Sequence, residues 1–444
     1  MSMNAIVGNA LSALILCSLF VVPTALPAQN TSPAFNDAKQ ALDRGEYARA
    51  ESQFRALVTA NPTSADALDD LGIALQSQGK EREAMAVFER VLKIKRLPDA
   101  VAMLAVDFCS NHQFDRALPL LQEAKAKLHD SNLMATLGPC FLDSNQPESA
   151  VPIYEALVKS RARPVGENLA NLIRAYFDLS RKLVATLPDV PGGMTFARAI
   201  DEARKNGSLD AEGAFSIAYS QAPYLDPSMS ITELINLLPS HSKDPALLYI
   251  LGIKTAEQAE TLFQQLQNEA PDAIEVQQLT AEFKDFEGDR DGAIRTYEQI
   301  VAQHPNAPAS VHFALGLLYA ERQRWQDALA QYRVASPDGK GSLYITERTS
   351  ECLLHLSEAE AVERMLKDIV HGEDAPFWAL RDYGEAEEQQ DHTETALEYL
   401  KRASALEPSD ASIHYHLSRL YKKLRHKDAA AREMALFRQL STEQ

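Results

Sequence analysis

The sequence is poor in cysteine and has no excess of positive charge. Its four cysteines, in 444 residues, are Cys17, Cys109, Cys140 and Cys352. Cys17 lies in an apolar leader, and three remaining thiols build neither a disulfide framework nor a C-x-x-C zinc site. Lys and Arg number 44 against 62 Asp and Glu, a net charge of -18 with a pI near 5.1. A chain this acidic repels phosphate backbones and anionic lipid, so nucleic acid is not expected as a partner.

Catalytic motifs are missing too. No H-E-x-x-H, G-x-S-x-G, G-x-x-x-x-G-K-[ST] or G-x-G-x-x-G occurs, so no catalytic residue, cofactor or metal is assigned and the chain does not read as an enzyme. Gly339-Lys340 is followed by Gly341 and no strand precedes it, which makes it a loop. His414 and His416 sit two apart, and on a helix such residues diverge by about 200°, too far to share one ion. Asp289-Arg290-Asp291-Gly292 lacks the further oxygen ligands of a calcium loop. An enzyme site in the middle of the chain would have to use Asp201, Glu202, Asp210, Glu212 and His241, which are scattered.

What is present begins with the leader. Ala5 to Ala28 is almost wholly apolar, ends in Pro23, Thr24, Ala25, Pro27 and Ala28, and precedes the first charged side chain, Asp37. Residues 1–28 therefore read as a secretory signal peptide cut near Ala28, although no Lys or Arg marks its start. The expected location is periplasmic or secreted. An uncleaved segment of this length would instead anchor the chain to a membrane, and that alternative stays open.

Beyond the leader one alanine recurs at a near-constant stride: Ala50, Ala84, Ala117 and Ala150, then Ala293, Ala328, Ala361, Ala396 and Ala430. Four residues after each stands a large apolar side chain: Phe54, Phe88, Leu121 and Tyr154, then Tyr297, Tyr332, Met365, Leu400 and Met434. Twelve residues before each stands a small one: Ala38, Gly72, Ala105 and Gly138, then Ala281, Gly316, Thr349, Gly384 and Ser418. Residues four apart share a helical face, and the small residue lies on a preceding helix where the partner approaches closely. Gly45, Gly79 and Gly288 mark turns between the helices, and Pro62, Pro305 and Pro408 end the second helix. A fixed period near 34 residues is the mark of stacked repeats rather than of a single bundle.

The pattern resembles the tetratricopeptide repeat, most closely in Leu71-Gly72…Gly79…Ala84…Phe88 and in Leu315-Gly316-Leu317-Leu318-Tyr319…Trp325…Ala328…Tyr332. The resemblance implies an all-α solenoid of antiparallel helix pairs. Residues 31–163 form a first block of about four repeats and 246–444 a second of about five to six. Residues 164–245 form a divergent helical segment, where Pro188 to Gly193 and Asn206-Gly207-Ser208 break the stack. At the start of the second block, Leu248, Leu251 and Gly252 read as a first helix one turn too close to Ala259, and Phe283 and Phe286 suggest an extra residue in the next first helix. Cys109 and Cys140 fall on neighbouring first helices; with axes about 8–10 Å apart, both are expected as buried free thiols.

In this family the concave side, lined by first helices, holds a partner peptide or protein. The residues that would line it here are Phe35, Leu42, Ile73, Val106 and Leu142 in the first block, an apolar face. In the second block they are Phe313, Leu317, Arg381, Tyr415 and Arg419, a mixed one. The family's clamp for chaperone C-termini is absent, because Phe35, Lys39, Asp70 and Ile73 stand at its key positions. The expected function is an exported, non-enzymatic interaction scaffold; the alternative is a membrane-anchored envelope assembly or secretion factor.

Overall fold

The computed structural model describes residues 32–111, 113–127, 131–190, 193, 218–337, 343–372 and 375–443. The leader, Asp201, Glu202, Asp210, Glu212 and the Gly339-Lys340 loop lie outside them. Among the described residues the chain is all helix, with no strand.

Four helix pairs open the stack: α1 (Pro33–Asp43) with α2 (Tyr47–Ala60), α3 (Ala65–Gln76) with α4 (Glu81–Ile94), α5 (Pro98–Ser110) with α6 (Phe114–Lys127), and α7 (Ser131–Asp143) with α8 (Pro147–Lys159). The small-to-large relation seen in the sequence closes four of the pairs through a glycine, whereas in the repeat of Ala361 and Met365 the fully buried residues are their successors Val362 and Leu366. A Cβ on Gly72 would fall 2.5 Å from the Phe88 ring, and one on Gly384 2.7 Å from Leu400 Cγ; Gly138 faces Tyr154 and Gly316 faces Tyr332 in the same way. The large residue fills the space that glycine vacates, and Phe54, Phe88, Tyr154 and Tyr332 are completely or almost completely buried. Gly316→Ala is therefore expected to destabilise the second block by about 2 kcal/mol, because the added methyl overlaps the buried Tyr332 ring and forces it to shift. The sign is opposite to an exposed helix site, where alanine is favoured. Urea titration of the variant checks it.

In eight of the helix pairs the turn places one residue in the left-handed region. Glycine takes that place at Gly45 (φ 76°), Gly79 (φ 71°) and Gly288 (φ 86°), but Asn145, Gln323, Ser357, Asp391 and Arg425 hold the same conformation. Packing of the flanking helices imposes it where the local sequence does not ask for it.

The middle departs from expectation. Ala246 to Gly252 and Ala259 lie on one continuous helix, α12 (Pro245–Glu269), which follows two short helices, α10 (Ile231–Ile235) and α11 (Leu238–His241). Asp244 caps its start, accepting from Ala246 N and Leu247 N, and no proline interrupts it. Its partner is α9 (Val165–Thr186), whose Leu183 and Val184 lie against Gly252. The pair is thus assembled from two long helices, with the divergent residues inserted between them. The helix that follows, α13 (Ile274–Phe286), contains no extra residue, for at 13 residues it matches the other first helices of its block.

From α13 the stack continues with α14 (Arg290–Gln303), α15 (Ala309–Glu321), α16 (Trp325–Ala335), α17 (Leu343–His355), α18 (Ala359–Val370), α19 (Phe377–Gln389), α20 (Thr393–Leu406), α21 (Ala411–Lys423) and α22 (Lys427–Glu443). Arg174 on α9 makes a two-pronged ion pair with Glu282 on α13, 2.7 and 2.9 Å, joining the middle pair to the second block. The Leu343 N–H donates 3.0 Å to Asn111 Oδ1, so the start of α17 also touches the end of α5. No described helix is long and apolar enough to cross a membrane.

Candidate functional site

First helices lie side by side, and at several junctions residues 31 or 32 positions apart meet. Lys39 Nζ stands 2.6 Å from Asp70 Oδ1, and Gln76 Nε2 donates 2.6 Å to Asp107 Oδ1. Cys109 and Cys140 occupy the next such junction and form a disulfide, with Cα atoms 5.7 Å apart. This overturns the expectation of free thiols. Interaxial distance is the wrong measure, since each helix carries its Cα atoms about 2.3 Å from its axis. Axes about 10 Å apart therefore bring facing Cα atoms to about 5.4 Å, within disulfide reach. Cys352 is a free, buried cysteine, its thiol pushed up to about 12 by burial.

In the second block the same seam is saturated with charge. Ser350 donates to Asp382, which also takes Arg381 at 2.8 Å, while Arg381 reaches Asp410 at 3.0 Å. His416 Nδ1 lies 2.7 Å from Glu388, which Arg419 approaches at 3.3 Å. His414 bonds Glu433 and the Pro408 carbonyl, so the two histidines are separately paired within the fold. Trp325 stacks on His355 and Trp378 is buried, so neither opens a ligand box.

Of the expected partner-binding residues, Phe35, Ile73, Val106 and Leu142 are half-buried on successive first helices, α1, α3, α5 and α7. Phe35 meets Phe54 edge-on at 5.7 Å. Leu42 is 8% exposed and belongs to the core, so it offers a partner almost no surface. Phe313 sits between Tyr332 and Tyr344 and Leu317 is half-buried beside it. Arg381 is spent on its carboxylates, whereas Tyr415 and Arg419 are exposed, the guanidinium 5.7 Å from the ring centre.

An open cleft of about 1010 Å³ continues the first block's face past Leu142, lined also by Phe177, Arg181, Val184 and Phe286. Phe286 and Val184 are half exposed, and Arg181 lies over the Phe286 ring at 4.4 Å. Phe286 was visible in the sequence, but its facing could not be set without knowing that α13 carries no insertion.

The first block's face also carries carboxyls under strain. Burial, with Asp70 and Asp99 nearby, pushes Asp69 up to about 7, and burial pushes Asp107 to about 7. Asp69 Oδ1 and Asp107 Oδ2 are buried without a hydrogen-bond partner. Among the described residues no group of three or more His, Cys, Asp or Glu is arranged to hold a metal.

Three separate stretches match models of the tetratricopeptide repeat: residues 41–106, 286–341 and 377–420. No curated protein is significantly similar to the chain in sequence. Solved structures that resemble it include MamA, residue 41 to the end, from Desulfovibrio magneticus RS-1, at 17% identity over 38% of this chain and 95% of that one, with a TM-score of 0.33. The Cut9–Hcn1 hetero-tetramer of APC/C matches at 13% identity over 94% of this chain and 95% of that one, again with a TM-score of 0.33.

Proposed function

We propose, from the premise that the chain is a tetratricopeptide repeat protein, that it is an exported, non-enzymatic scaffold holding a protein partner on its concave face. One observation carries the reading: Phe35, Ile73, Val106 and Leu142 stand on consecutive first helices at the edge of the core, each packed against it on one side and left half-exposed on the other. A row of apolar side chains spaced by the helix stack suits an extended or amphipathic segment. Repeat stacks offer long concave surfaces and no enclosed catalytic cleft.

Two features support export. The leader has the length and closing residues of a secretion signal, and a Cys109–Cys140 disulfide belongs in an oxidising compartment. N-terminal sequencing of the purified protein separates a soluble from an anchored form. A mature start near Gln29 fits the first; an intact leader would mean a membrane-held envelope factor.

Ile73→Arg tests the surface. The substitution fills the face and brings its own cation to Asp69 and Asp70, so capture of the native partner from envelope fractions is expected to fall tenfold or more. Helical circular dichroism should not change. Capture at the wild-type level would remove the first block's face as the binding surface.

A further inference from the structure

The two sides of the first block differ in charge. Its first helices, α1, α3, α5 and α7, carry eight aspartates and one basic residue, Lys39. Its second helices, α2, α4, α6 and α8, carry eight acidic and nine basic residues. The outer helices therefore balance their charge on themselves, in pairs such as Arg116–Glu89 and Arg55–Glu83. The inner helices cannot. Lys39 is already committed to Asp70, and Asp66, Asp69, Asp70 and Asp99 lie close enough to act on one another.

Two atoms record the missing charge. Asp107 is 4% exposed; Gln76 satisfies its Oδ1 and nothing satisfies Oδ2. Asp69 Oδ1 is likewise buried and without a donor. A buried carboxylate oxygen with no donor is costly unless a partner supplies one. In the second block Arg381, His416 and Arg419 already meet inner carboxylates, and Asp285 Oδ1, buried there without a hydrogen bond, has the Arg290 guanidinium 3.6 Å away.

We propose that the first block's inner face takes a cationic, partly apolar protein segment, whose lysine or arginine groups seat among Asp66, Asp69, Asp70 and Asp99. Its apolar residues would cover Ile73 and Val106. The proposal rests on the concave-face reading above and narrows it to one chemistry. Acidic tails, anionic lipid and nucleic acid are repelled by the same aspartates. A cation beside Asp69 favours the ionised carboxyl, so binding releases a proton and tightens as pH rises from 6 to 8, by up to about tenfold for one such group.

The test uses the full chain and a fluorescent 15-residue peptide with Lys on one helical face and Leu on the other, read by anisotropy at low salt. Its twin carries Glu for Lys. The Lys peptide is expected to bind and the Glu peptide not. Asp69→Asn with Asp99→Asn should weaken the Lys peptide tenfold or more, while the outer-face pair Glu83→Gln with Glu89→Gln, an equal loss of charge, should change it less than twofold. Equal losses from both pairs would mean general attraction to an acidic protein and would overturn the proposal, as would tight binding of the Glu peptide. Native-partner capture separates the two readings. If Ile73→Arg abolishes capture and the Asp69, Asp99 pair leaves it untouched, the concave face stands and the cationic partner falls; if neither variant matters, both fall.

Discussion

Reducing the Cys109–Cys140 bridge is expected to lower the unfolding free energy of the first block by about 3–4 kcal/mol. The bonded cysteines are 31 residues apart, and closing a loop of that size removes about 12 cal/mol/K of chain entropy from the unfolded state, about 3.7 kcal/mol at 25 °C. Both cysteines are at least 96% buried, so the bond resists reductant until the block opens. The measurement is urea unfolding with and without a phosphine reductant, both samples being unfolded and refolded and only one of them reduced while unfolded. Repeat arrays unfold in parts rather than all at once. The loss should therefore fall on the transition of the first block and leave the second unmoved. A double Cys109→Ser, Cys140→Ser variant should reproduce the loss and be indifferent to reductant. Identical curves with and without reductant would show that the thiols are free.

The second large effect is a first block that weakens as pH rises. Asp69 and Asp107 bind protons more tightly in the folded chain than in the unfolded one, so the folded state holds more protons between about pH 4 and 7. Stability contributed by their protonated forms is complete at the acid end of that window and is lost as pH climbs through 7. For Asp107 the loss is as much as about 4 kcal/mol, at about 1.4 kcal/mol per tenfold change in proton affinity. Glu123 does not obscure the trend: Arg96 and Lys127 hold it down to about 2, so its contribution changes only under much more acid conditions. Unfolding free energy of the first block should drop between pH 5 and 8 by about 2–4 kcal/mol. Asp107→Asn, which keeps an acceptor for Gln76, should gain about 2 kcal/mol at pH 8 and nothing near pH 4. A flat profile, or a variant weaker than wild type at pH 8, would contradict this.

Much of the architecture could be read from single residues. The stride of alanines placed the pairs, and Gly72 with Phe88 and Gly316 with Tyr332 meet as their spacing implied. Other features depend on what neighbouring helices impose. Ser357 and Arg425 take left-handed turns with no glycine to announce them. The middle pair, α9 with α12, is joined across a long insertion, and no local pattern records which helix will lie beside which. The disulfide is not legible from the distance between helix axes, because facing Cα atoms decide whether two cysteines can bond.

The proposed binding face is half legible in the sequence. Ile73 and Val106 follow from position within the repeat, but Leu42, at the position that Leu142 holds half-buried in a later repeat, is core. The aspartates were countable from the start. Only their assignment to first helices turns an acidic sequence into an acidic inner surface.

Site-specific photocrosslinking in envelope fractions bears most directly on the central claim. A benzophenone side chain at position 73 or 106 should join the chain to a partner protein, and one at outer position 89 should not. Adducts as strong from 89 as from the inner positions, or none from 73 and 106, would contradict docking on the concave face.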